Sequence, residues 1–192
     1  MKTRSLIVAY GQPNGHGLVI GNGDKIPWRL PAELRYFSDI TKRVSEKNPK
    51  GIEGSPVIMG RGTYESLPKK FRPLPGRTNI ILTRNPAWAP ENDDDSIRVA
   101  HTLWEALDYA EQAPGDELFC IGGEKVYREM IDAIIFQKLY LTCVCGKFQG
   151  DKFFPAEKLG LGTRYKKIQE HHHQKNEENP FTFITSEYEL IG

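Results

Sequence analysis

No stretch of this chain approaches the ~18–20 apolar residues that a membrane-spanning helix requires. Residues 1–10 start basic, but the apolar run ends at Gly11, too short for the core of a secretion signal. Cysteine is scarce: Cys120, Cys143 and Cys145 are the only three in 192 residues. An odd number without framework spacing excludes a disulfide scaffold and fits reduced thiols in a reducing compartment. The C-V-C pair is spaced more tightly than zinc sites space their cysteines, so no metal is expected there. Charge of one sign is also missing. Lys plus Arg number 26 against 25 Asp plus Glu, a net charge of +1, which argues against general affinity for nucleic acid or membranes. There is no internal repeat and no break in composition. The expectation is one domain over residues 1–192, long enough to bury a core without staples, cytoplasmic and monomeric.

What is present is a regular alternation of apolar runs and glycine or proline punctuation. Residues 6–10 predict a buried strand, and the glycine-rich 14–25 a loop. Pro31 opens a helix to about Thr41, with Leu30, Leu34, Phe37 and Ile40 at helical spacing. Residues 42–55 have no apolar period and read as an exposed loop insertion. Strands follow at 57–59, 79–83 and 97–100, with a short helix at 64–67 and a longer one at 103–112. The order then repeats: strand 118–121, helix 124–131, strand 139–144, and two last strands at 164–170 and 181–187. Alternating strand and helix predicts an α/β fold with a mixed, mainly parallel sheet covered by helices, ending in an antiparallel hairpin.

Two strand-to-helix turns are rich in glycine, G-R-G-T at 60–63 and G-G-E-K at 122–125. Glycine admits close approach to the backbone, and free N–H groups at a helix start suit phosphate. Two such turns suit a dinucleotide, although neither carries the G-x-G-x-x-G fingerprint and either could be a plain tight turn. Arg61, Thr83 and Arg84 add donors at strand ends, where open α/β sheets bind ligands. Arg84 could pair with a ribose 2'-phosphate or be an ordinary solvated charge. Glu33 lies four residues before Phe37, hence on the same helix face. Beside apolar groups its pKa should rise, allowing it to accept two parallel N–H bonds or to relay a proton. The alternative is a solvated first-turn glutamate that favours the helix dipole. Three consecutive histidines, 171–173, alternate across a strand and do not converge on one ion, so a polar hairpin end is the simpler reading.

Six segments together resemble dihydrofolate reductase, in that family's order and over most of the chain. They are V-I-G-N-G-D-K-I-P-W-R-L-P-A-E-L-R-Y-F at 19–37, V-I-M-G-R-G-T-Y-E-S-L at 57–67 and R-P-L-P-G-R-T-N-I-I-L-T-R at 72–84. The others are I-G-G-E-K-V-Y at 121–127, L-Y-L-T at 139–142 and G-D-K-F-F-P at 150–155. The resemblance implies an eight-stranded sheet and hydride transfer from NADPH to 7,8-dihydrofolate. It implies that Glu33 is the active-site acid, with Thr142 as its hydrogen-bond partner and Trp28 positioning a water. Residues 22–26 would form a mobile loop over the nicotinamide, with Asp151 on a partnering loop. Phe37, Leu67 and Leu74 would meet the aminobenzoyl ring and Arg77 the glutamate α-carboxylate, with Leu34 also among the substrate-binding residues. Ala9, Ile121 and Tyr127 would line the pterin and nicotinamide pocket. The cofactor side would comprise Ala9, Ile20, Gly60, Arg61, Thr63, Thr83, Arg84, Gly122, Gly123, Glu124, Lys125 and Val126, with an unusual cis peptide at the paired glycines. Antifolate inhibition is a further implication.

Some features depart from compact bacterial members: a longer Q-P-N-G-H-G loop, the 42–55 insertion, and Ile26 where a methionine is frequent. No fused thymidylate synthase is expected after the last strand pair. Two other readings share much of the pattern. The reductase of riboflavin biosynthesis has the same fold and cofactor but is not expected to carry Glu33, Phe37 and Arg77 together. A catalytically silent nucleotide-binding module would not be expected to retain Trp28, Glu33 and Thr142.

Overall fold

The computed structural model describes residues 1–13, 15–43, 54–91 and 94–192. Its frame is one sheet in the order β5-β4-β3-β6-β1-β7-β10-β9. These strands are β1 (Thr3–Pro13), β3 (Gly54–Gly60), β4 (Arg77–Leu82), β5 (Ile97–Ala100), β6 (Glu117–Gly122), β7 (Lys138–Phe148), β9 (Tyr165–His173) and β10 (Phe183–Leu190). Neighbours from β5 to β7 run parallel, and β10 pairs antiparallel with both β7 and β9. The eight-stranded, mainly parallel sheet with its C-terminal hairpin is therefore present. Two short strands extend it at the end of β1: β2 (Leu18–Gly21) pairs with β1 and with β8 (Lys152–Phe154).

Alternate residues of β1 feed two cores. Leu6 and Val8 join Ala106, Leu107, Val126 and Met130 on one face, while Ile7 joins Ile40, Tyr64 and Tyr140 on the other. Helices α3 (Leu103–Gln112) and α4 (Glu124–Ala133) cover the first face; α1 (Pro31–Thr41) and the short α2 (Arg61–Ser66) cover the second. Thr102 caps α3 by accepting the Glu105 N–H at 3.1 Å, and the Glu105 carboxylate accepts the His101 N–H at 2.7 Å. The first bond satisfies a first-turn donor the helix leaves orphaned, and the second ties the residue before the cap back to the first turn.

Three expectations need correction. The segment 14–25 is not all loop, because Leu18–Gly21 is strand β2. The L-V-I triplet between glycines is too short to show a period, but β1 and β8 supply ladder partners on either side. Strand β8 was not expected at all, for the same reason of length. Gly54 and Ser55, assigned to the insertion, begin β3 and are buried. The Gly54 N–H donates to the Gly76 carbonyl at 2.8 Å, and a Cβ at Gly54 would sit 2.8 Å from Lys42 Cα. The rest of that loop, 44–53, lies outside the described residues.

Candidate active site

Helix α1 crosses the face of the sheet with Glu33, Ile40 and Thr41 buried beneath it. Leu30, 1% exposed, packs in with Trp28, Val144 and Phe148 and fixes where the helix begins. Glu33 is consequently only 7% exposed, which overturns the solvated alternative. Among the described residues its carboxylate has no protein hydrogen-bond partner, and burial pushes its pKa up to about 7. The phenols of Tyr36 and Tyr127 lie within electrostatic reach of it.

Thr142 is buried at 1% on β7, opposite Ala9 of β1 and Thr185 of β10. No direct bond joins Thr142 to Glu33 among the described residues. Trp28 is held edge-on against Phe148, ring centroids 4.9 Å apart. Tyr127 donates its hydroxyl to the Ile7 carbonyl at 2.7 Å, tying α4 to the central strand.

A second polar group sits farther along the same helix face. Arg77 is 4% exposed, yet its hydrogen bonds go to neutral oxygens: Thr41 Oγ1 at 2.8 Å and the Pro75 carbonyl at 3.2 Å. Its guanidinium also lies 5.7 Å from the Phe37 ring centroid. Desolvation lowers its pKa to about 10, so it stays cationic at neutral pH. A buried cation without a carboxylate partner among the described residues is costly unless an anionic ligand completes it.

Thr41 and Asn79 were not read from the sequence. Thr41 Oγ1 donates to the Phe37 carbonyl at 2.8 Å while accepting from Arg77. Asn79 accepts the Leu74 N–H at 2.9 Å and donates to the Leu74 and Arg77 carbonyls at 3.0 and 2.8 Å. It thereby holds the bend that presents Leu74 and Arg77. Thr41 sits four residues after Phe37 on the same face and could have been found by helical spacing; Asn79 gave no local signal.

The two glycine-rich turns meet. They end β3 and β6, neighbouring parallel strands. A Cβ on Gly60 would lie 3.1 Å from Val126, one on Gly123 3.0 Å from Thr63 Oγ1, and one on Gly122 2.6 Å from the Tyr127 ring. Gly122 also has φ +102, and the Gly122–Gly123 peptide is cis, as the resemblance implied. Gly60 and Gly123 stand at the N-cap positions with no side-chain cap among the described residues, so the first-turn N–H groups of both helices receive no capping side chain there. That cradle fits the diphosphate of a dinucleotide.

At the end of β4, Thr83 is buried and its carbonyl meets His101 Nδ1 at 3.0 Å, whereas Arg84 is exposed. Arg61 bonds Glu65 at 2.8 Å and lies 6.0 Å from the Trp88 ring. Glu124 is occupied with the Phe153 N–H at 3.0 Å, and Lys125 and Leu34 face solvent. Ile20, Leu67 and Ile121 are half-buried against the cores.

Asn22 and Lys25 close a tight turn with reciprocal backbone bonds of 2.8 and 3.1 Å. The Gly23 N–H in this turn donates to Asp151 at 2.9 Å, so the segment 22–26 and the Asp151 loop are joined. The histidine tract has divergent partners: His172 meets Glu170 at 3.0 Å, and His173 stacks on Phe183. No helix of the described residues is long and apolar enough to cross a membrane.

A family model described as dihydrofolate reductase matches residues 5–190. The chain is 38% identical to a dihydrofolate reductase of Aedes albopictus over 159 residues, 81% of this chain and 80% of the relative. It is 35% identical to that of Lactococcus lactis over 173 residues, 90% of this chain and 91% of the relative. A type 3 dihydrofolate reductase of Salmonella typhimurium is 36% identical over 172 residues, 88% of this chain and 91% of that one. A fold of this order and matches across nearly the whole length agree: the chain belongs to the dihydrofolate reductase family.

Proposed function

We propose that this protein reduces 7,8-dihydrofolate to 5,6,7,8-tetrahydrofolate with NADPH. The observation that carries this reading is Glu33, a buried acid with no protein partner among the described residues and a pKa near 7. A carboxylate only 7% exposed, with no protein hydrogen-bond partner among the described residues and a pKa raised by burial, points to a ligand and to proton transfer. Its two oxygens accept the pterin's ring N–H and 2-amino group side by side. Balanced between its two protonation states at neutral pH, it supports protonation at N5 through a water that Trp28 positions. Thr142, buried on β7, would hydrogen-bond the carboxylate in the complex. Phe37, Leu34, Leu67 and Leu74 flank the aminobenzoyl ring, and Arg77 takes the glutamate α-carboxylate, which completes its charge.

NADPH, when bound, supplies the hydride that passes from nicotinamide C4 to pterin C6. The backbone N–H groups at the Gly60 and Gly123 turns, with Arg61 and Thr63, would hold its diphosphate, and Thr83 and Arg84 would select its 2'-phosphate. Ala9, Ile20, Ile121 and Tyr127 form the apolar wall between the two ligands. Closure of residues 22–26, held by Asp151, excludes water from the reacting atoms. Antifolates presenting the same flat, N–H-bearing heterocycle compete for Glu33. The test is NADPH consumption dependent on dihydrofolate, followed by loss of nicotinamide near-UV absorbance. Turnover of a ribosylated aminopyrimidine in its place would overturn the proposal.

A further inference from the structure

The helix that carries Glu33 does not cap itself. Leu30 occupies its N-cap position with no side-chain acceptor, and Pro31 brings no N–H. The next donor, the Ala32 N–H, is satisfied by Asn179 Oδ1 at 2.9 Å, 147 residues away. Asn179 is 4% exposed, in the connection between β9 and β10. Asn176 Oδ1 fixes it, accepting the Asn179 N–H at 2.8 Å and its Nδ2 at 3.1 Å. The same oxygen accepts the Glu178 N–H at 3.1 Å, and Glu178 forks onto Arg35 of α1 at 3.1 and 3.0 Å. A polar connection outside the catalytic set thus grips both the start and the outer face of α1.

We propose that Asn179 is a positioning residue for Glu33: an N-cap supplied from the β9–β10 connection that holds the first turn of α1, and with it the carboxylate, against the sheet. The assignment rests on the dihydrofolate reductase reading for its catalytic consequence, though not for its geometry. Ala32 immediately precedes Glu33, so a frayed first turn moves the carboxylate directly. Burial is what sets the Glu33 proton affinity, hence depth controls its chemistry. Among the described residues, few groups act on it. Tyr36 on α1 and Tyr127 on α4 feel its charge. Glu187 of β10 meets the Tyr36 hydroxyl at 3.4 Å, and Glu178 is paired with Arg35. Ala9 and Thr142 contribute no charge.

The experiment follows the Glu33 carboxyl by carbon NMR titration in the ligand-free protein, alongside dihydrofolate kcat and KM and the NADPH dissociation constant. In Asn179→Ala the titration midpoint falls by about one pH unit toward the ordinary carboxylate range. The dihydrofolate KM rises about fivefold, the equivalent of a lost cap, while NADPH affinity holds. Asn179→Asp keeps the acceptor for the Ala32 N–H but loses the Nδ2 donor to Asn176, so its KM lies between wild type and the alanine variant and its midpoint does not fall. Asn176→Ala, which loosens Asn179 without touching α1, gives the alanine pattern at smaller amplitude and serves if Asn179→Ala does not fold. An unaltered midpoint and KM with only a lower Tm, or an aspartate variant as impaired as the alanine one, would overturn the assignment. If wild type fails to turn over dihydrofolate while the midpoint still falls in Asn179→Ala, the reductase reading fails and the capping role stands.

Discussion

Replacing Glu33 by glutamine should remove most turnover and at the same time stabilise the protein, chiefly at neutral to alkaline pH. The carboxyl titrates at 4.5 ordinarily and at about 7 in the folded protein. The native state therefore holds this proton more tightly than the unfolded chain. A stability cost is absent below the ordinary value, grows as pH rises between the two, and is complete above the higher one. Its size from the shift is about 3 kcal/mol at about pH 8 and under about 1 kcal/mol at about pH 5. Glutamine keeps the shape and removes the ionisation, so the Tm gain at the higher pH is roughly 6–12 °C and shrinks to a few degrees at the lower. Turnover falls by about 10²–10⁴, while NADPH binding is retained. Thermal melts of both proteins at the two pH values, with kcat measured in parallel, decide the matter. A variant that is less stable at both, or equally shifted at both, would show that Glu33 is not a desolvated carboxylate.

Arg77→Ala should raise the dihydrofolate KM by about 10- to 100-fold through loss of a charge-assisted pair, with NADPH affinity unchanged; steady-state kinetics at varied folate check it. Arg84→Ala should erode the preference for NADPH over NADH, read as the ratio of their dissociation constants, and leave NADH binding unaffected. An unaltered ratio would remove Arg84 from the cofactor assignment. Gly122→Ala should be among the more damaging single changes, since the new Cβ falls 2.6 Å from the buried Tyr127 ring at a φ of +102. A melt within a degree or two of wild type would contradict that packing.

Much of this was legible because it is local. Helix α1 was read to the residue from Pro31 and the spacing of Leu34, Phe37 and Ile40, and β5 and α3 likewise match. Strand ends were read short: β1, β4 and β7 extend past their apolar runs, because ladder partners, not side-chain hydrophobicity, set where pairing stops. The pairs β2 and β8 were missed since each is too brief to show a period and exists through the other. Within the site, residue type and order carried Glu33, Arg77 and the paired glycines. Depth did not show. Helical spacing put Glu33 beside Phe37 but could not say that Leu30 and the sheet would close over it. Nor could local spacing reveal Asn79 holding the bend before β4, or Asn179 capping a helix 147 residues away.

The central claim is that a buried acid with a raised pKa serves reduction of dihydrofolate. The most direct measurement is the pH dependence of dihydrofolate-dependent NADPH oxidation by wild type and Glu33→Gln. Wild type should turn over with a rate that falls as pH rises through about 7, where Glu33 loses its proton, and the glutamine variant should be slow and lose that inflection. A wild-type rate that is flat across this range, or a glutamine variant that matches it, would contradict the account.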